Sequence, residues 1–133
     1  MKKNKFISIG SLDSINFEIL SKSIPTLFKK KIKFFIVGNR FKIKANFKKY
    51  NLLNKINIIN ELDSYSQNRI NIIDSNKYKK KFSIEILNDI SLSYDFAIKN
   101  NSDLITMPIN KSEIKKKINF NGVTEFLGNL NNS

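Results

Sequence analysis

The chain has 133 residues, a mass of 15.4 kDa, 41% hydrophobic residues and a formal charge of +13. That is the size of one ordinary domain, residues 1–133, with a modest core, and too apolar for a disordered chain. With no Cys and no His, disulfide frameworks, thiol nucleophiles and metals held by thiolate or imidazole are excluded.

Lys5-Phe-Ile-Ser-Ile-Gly10 is a short apolar run closed by Gly, the pattern of a buried strand that ends in a turn. Ser11 to Ser14 supply capping residues for a helix through Ile15, Phe17, Ile19 and Leu20, which Pro25 is expected to end or restart. Ile32 to Gly38 reads as a second strand, and Arg40 to Tyr50 as a helix with Phe41, Ala45 and Phe47 on overlapping faces. Ile56 to Ile59 and Ile70 to Ile73 are two further β-branched runs. Lys77 to Lys81 is a charge run, most simply a solvated face. The spacing of Ile86, Ile90, Tyr94, Ala97 and Ile98 predicts an amphipathic helix within Phe82 to Asn100. Leu104 to Met107 then reads as a buried strand stopped by Pro108. A short helix over Lys111 to Lys117, a turn over Asn119 to Gly122 and a helix from Val123 to Leu130 follow. Strands alternating with helices predict an α/β fold, three layers α/β/α around a mainly parallel sheet.

In such sheets ligands sit beyond the carboxyl ends of the strands, which is where Gly10, Gly38 and the segment Thr106 to Lys111 arrive. A Lys there binds phosphate as a flexible point charge, and a helix start after Asn110 or Gly122 adds backbone donors. The plainer reading of Pro108 and Asn110 is a strand stop and a helix cap.

The motif Thr106-Met-Pro-Ile-Asn-Lys111, followed by Gly122-Val-Thr-Glu125, resembles the 4-hydroxythreonine-4-phosphate dehydrogenases, in which a strand ends in Thr-x-Pro-Ile-Asn-Lys and a Gly-His-Thr-Glu turn follows at the same distance. Gly10-Ser-Leu-Asp-Ser-Ile-Asn-Phe-Glu18 is similar to that family's opening Gly-Asp-Pro-Ala-Gly-Ile-Gly-Pro-Glu, and Val37-Gly-Asn39 to its Val-Gly-Asp. The resemblance implies a lobe like that of isocitrate and isopropylmalate dehydrogenases, with substrate or phosphate contacts at Thr106, Asn110, Lys111, Thr124 and Glu125. It also implies NAD and a divalent metal as the family's cofactors, and a site shared across a dimer. The family belongs to pyridoxal phosphate synthesis and oxidises a hydroxyl of a small phosphorylated amino acid by hydride transfer, the metal polarising that oxygen.

The departures fall on special positions. Val123 stands where the family has a metal-ligating His, and the family's other two metal-ligating histidines come from a later part of its chain. Ser11 replaces an Asp, Leu12 a Pro, and Ser14 and Asn16 replace glycines. Family members are well over twice this length, so the expectation is a fragment or a shortened, diverged member that is inactive as this chain alone and binds neither cofactor by itself. A non-catalytic module that pairs with itself or a complementary chain is the alternative.

A nucleic-acid binder is the third reading, since so basic a chain ordinarily suggests a polyanion partner. Codon drift offers a plainer source: Lys, Asn and Ile make up about half of the chain, far above ordinary usage, and all have A/T-rich codons. The basic start Met1 to Lys5 precedes an apolar run too short for a signal or a membrane span. The absence of Cys fits the cytoplasm, the expected compartment.

Overall fold

Strands covered on both faces need apolar residues at nearly every position; Phe34–Gly38 meets that demand and Ile70–Asp74 meets it but for Asn71 and Asp74, and each is buried along its whole length. The computed structural model describes residues 3–11, 14–109 and 123–131. In chain order these form β1 (Lys5–Ser8), α1 (Ser14–Lys29), β2 (Phe34–Gly38), α2 (Arg40–Lys48), β3 (Ile56–Ile59), β4 (Ile70–Asp74), α3 (Glu85–Lys99), β5 (Asp103–Thr106) and α4 (Val123–Asn131). Short 3₁₀ turns lie at Leu53–Lys55, Leu62–Ser64 and Ser75–Lys77.

The sheet has the order β3-β4-β2-β1-β5 and every pairing is parallel. Ile7, Ile36, Ile70 and Ile72 pack with Phe17 and Ile24 of α1 and with Ile43 and Phe47 of α2. The alternate residues Phe6, Phe35, Val37 and Ile73 face the other way, onto Leu92, Phe96 and Ala97 of α3. Phe6 stacks between Phe35 and Phe96, with ring centroids at 5.1 and 5.5 Å. Helices therefore cover both faces, the expected three-layer α/β/α arrangement. The chain moves from β1 out to β2 and later returns to the far side of β1 as β5, which makes the carboxyl end of β1 a topological switch point.

Three local expectations are corrected. Pro25 does not end α1 but lies inside it. A mid-helix Pro costs about 3 kcal/mol, and the helix continues because Phe17, Leu20 and Ile24 before the Pro and Leu27 and Phe28 after it all pack on one core. In α3 Ile90 and Ala97 of the predicted stripe are buried, together with Leu87, Asn88, Ser91 and Ser93, while Ile98 at its edge is 65% exposed. β5 was expected to be buried, yet Ile105 is 39% exposed, because β1 is its one strand partner among the described residues.

No helix among the described residues is long and apolar enough to cross a membrane.

Candidate functional site

The carboxyl ends of β1 and β5 are tied together before any ligand is considered. Gly10 has φ 79°, and a Cβ there would lie 2.6 Å from the carbonyl oxygens of both Met107 and Pro108, so only Gly fits the turn. The Met107 N–H donates to the Ser8 carbonyl at 2.9 Å and the Ser11 N–H to that of Pro108 at 3.3 Å. Asn16, on the first turns of α1 and 2% exposed, donates its amide to the carbonyls of Ile9 (2.9 Å), Ser11 (3.0 Å) and Pro108 (2.7 Å). Viewed as sequence, Asn16 was only a lost glycine; in the structure it is the strap across the switch point.

Thr106 ends β5 beside Ser8 of β1 and is half-buried. Ile109 and Phe126 pack with Leu87, and the Phe126 ring lies 5.1 Å from that of Phe82. These contacts bring the start of α4 to the same edge as Thr106. Glu125 is exposed in the first turn of α4. Asn110 and Lys111 lie outside the described residues, as do the side chains of Val123 and Thr124.

Beside this edge a small pocket opens to solvent between Gly10, Gly38, Asn39, Lys42, Glu85 and Asp89. Asn39 caps α2, its Oδ1 accepting from the N–H groups of Phe41 (2.9 Å) and Lys42 (3.3 Å), which aims Lys42 at Glu85, 2.8 Å away. Asp89 lies over Gly38, where a Cβ would come 3.5 Å from its Oδ2, and its Oδ1 is buried without a partner. Burial pushes the Asp89 carboxyl up to about 7, with Glu85 and Asp74 adding to the rise and Ser75 and Lys42 opposing it. Asp74, 3% exposed at the end of β4, accepts from the N–H groups of Arg40 (3.4 Å) and Asn76 (3.2 Å) and pairs with the Arg40 guanidinium at 3.5 Å.

A carboxyl that titrates near neutrality at a pocket wall can take up or release a proton. Sequence reasoning missed Asp74 and Asp89. Their one local signal was an acid directly after an apolar run at Asp74, and another inside the apolar pattern of α3 at Asp89. Among the described residues no three His, Cys, Asp or Glu side chains converge so as to hold a metal.

No protein-family model matches the chain, and no curated protein matches it. Solved structures do. A 4-hydroxythreonine-4-phosphate dehydrogenase from Burkholderia phymatum superposes with TM-score 0.74 at 18% identity, covering 98% of this chain and 44% of that one. The same enzyme from Klebsiella pneumoniae gives TM-score 0.69 at 19% identity, again over 98% of this chain and 44% of its own. The chain thus has the α/β fold of these dehydrogenases and spans less than half of their length.

Proposed function

We propose that the chain is a diverged relative of the 4-hydroxythreonine-4-phosphate dehydrogenases, and that this 133-residue polypeptide does not carry out the dehydrogenation by itself. The observation that carries the kinship is the motif Thr106-x-Pro-Ile-Asn-Lys111 with Gly122-x-Thr-Glu125, set at the end of β5 and the start of α4 in a chain with this fold. The family's divalent metal does not fit the residues present. The chain has no His, Val123 offers no lone pair to a metal, and the described residues hold no alternative set of ligands.

The resemblance supports binding of a small phosphorylated molecule, with Lys111 as the cation and Thr106, Asn110, Thr124 and Glu125 as its further contacts. The pure chain, given the phosphorylated hydroxy-amino acid, NAD and divalent metal, is expected to form no NADH; metal-dependent NADH formation would overturn the inactive reading. Lys111→Ala should weaken binding of the phosphorylated compound at least tenfold in calorimetry, and unchanged affinity would remove Lys111 from the site.

A second reading, an interaction module completed by another copy or a complementary chain, is favoured by β5, whose Ile105 is 39% exposed on a strand paired on one side among the described residues. Sedimentation of a strict monomer over a wide concentration range would remove the pairing with itself.

A further inference from the structure

The positive charge is not spread along the chain. Residues 19–60 hold 11 of the 24 basic residues and no Asp or Glu, whereas residues 61–133 hold 10 basic and 9 acidic residues. Codon drift raises Lys everywhere; it does not empty one continuous stretch of acids while leaving the rest nearly balanced.

Topology then gathers these residues at one end of the molecule. α1 links β1 to its parallel neighbour β2, and α2 links β2 to the parallel β3, so both helices run against the strands and finish at the amino edge of the sheet. Lys29 ends α1 with Lys30 and Lys31 after it, Lys48 ends α2 with Lys49 after it, and Lys55 leads into β3. Arg69, just before β4, donates to the Asn54 carbonyl at 3.0 Å and joins the same edge. Lys29, Lys31, Lys48, Lys49 and Lys55 are all exposed, and among the described residues none is ion-paired. At the opposite, carboxyl edge the cations of the same stretch are matched: Arg40 by Asp74 at 3.5 Å and Lys42 by Glu85 at 2.8 Å.

One Lys in the last turn of each helix answers the helix dipole, which accounts for Lys29 and Lys48 and not for the others. Lys31 even holds φ 55°, a left-handed conformation in which a side chain costs about 1 kcal/mol and Gly or Asn is cheaper. A membrane surface would call for an apolar face beside the lysines, and Leu53 is the one large exposed apolar side chain among the described residues of these connections. The rim is instead Asn51 and Asn54, both exposed, amides suited to phosphate and sugar oxygens.

We propose that the amino edge, formed by the ends of α1 and α2 and the entry to β3, binds the phosphate backbone of nucleic acid without reading its sequence. Lysines act there as point charges on phosphates rather than as readers of base edges. The site is separate from the carboxyl-edge pocket and does not depend on the dehydrogenase kinship.

The test is fluorescence anisotropy of a labelled single-stranded RNA of mixed sequence titrated with the full chain over a range of salt. Single strands lose about 0.7 in the slope of log affinity against log salt per phosphate engaged, so five or six lysines predict a slope of about −4. K29Q/K48Q/K49Q/K55Q should reduce its magnitude by about 3, while K77Q/K79Q/K80Q/K81Q, which removes the same charge elsewhere, should leave it unchanged. Should the first variant fail to fold by circular dichroism, K49Q/K55Q decides, with an expected reduction of about 1.4. No binding at low salt, equal weakening by both quadruple variants, or binding to phosphatidylserine vesicles but not to RNA would each overturn the proposal.

Discussion

Asp89→Asn isolates the electrostatics of the carboxyl-edge pocket. The wild-type carboxyl rises from 3.8 to about 7 on folding, chiefly through burial. Between those values the unfolded chain has released the proton and the folded chain keeps it, so stability is full below about pH 4 and is lost as pH rises to about 7. One pH unit is worth about 1.4 kcal/mol for a single proton, so the interval gives about 4 kcal/mol. That figure is a ceiling, because the pocket is open and water screens part of it. Asn keeps the shape and carries no charge. Urea unfolding of both proteins from about pH 4 to about pH 8 should therefore give nearly equal stabilities in acid and a gap in favour of Asn that widens to about 2–4 kcal/mol. Taking the difference cancels the other titrating groups. A gap that stays constant with pH would show that Asp89 does not change protonation on folding, and the buried-acid argument would fail.

Three further substitutions probe the frame around the site. Asn16→Ala leaves the carbonyls of Ile9, Ser11 and Pro108 without the amide; a loss of about 1–3 kcal/mol and faster amide exchange near Met107 are expected, and unchanged exchange would deny the strap. Gly10→Ala would force a Cβ to 2.6 Å from two carbonyl oxygens at φ 79°; it should lower the melting temperature more than Asn16→Ala does, and a neutral effect would contradict the turn geometry. Pro25→Ala at an exposed helical position restores an N–H to α1 and should stabilise by up to about 3 kcal/mol, reduced by under about 1 kcal/mol of regained unfolded-state entropy. Thermal melts showing destabilisation would mean that the Pro ring itself packs.

Much of the fold was legible because parallel strands covered on both faces write themselves as nearly continuous apolar runs, as Phe34 to Val37 does and as Ile70 to Ile73 does apart from Asn71. What failed was set by partners distant in sequence. Nothing within Leu104 to Met107 says that the strand has β1 on one side only, and nothing local says that packing on both sides of Pro25 outweighs its missing N–H. The pocket stayed hidden for the same reason: Asp74 and Asp89 are 15 positions apart and meet only because β4 and α3 converge on Gly38. Thr106 was legible as a strand end because the apolar run before it and Pro108 after it are local signals. The acid-free stretch between Glu18 and Glu61 was equally visible, but its meaning needed the topology that folds it to one edge.

The turn after β1 bears on what the carboxyl edge can still bind. Where the resembled family has a glycine, a residue that permits tight backbone approach, Asn16 fills the turn with its own amide and locks it to the exit of β5. That is a gain for a scaffold and a loss for a site that must admit a ligand. The neighbouring cations offer no substitute, since Arg40 is engaged by Asp74 and Lys42 by Glu85, and deprotonation of Asp89 above about pH 7 adds a further negative charge. A phosphate arriving at this edge meets neutralised cations and an acidic wall on the α3 side, so under the proposed function its affinity rests on Lys111. Lys111→Ala is for that reason the substitution on which the carboxyl-edge reading stands, and the eight lysine substitutions at the amino edge and the charge run leave that reading untouched.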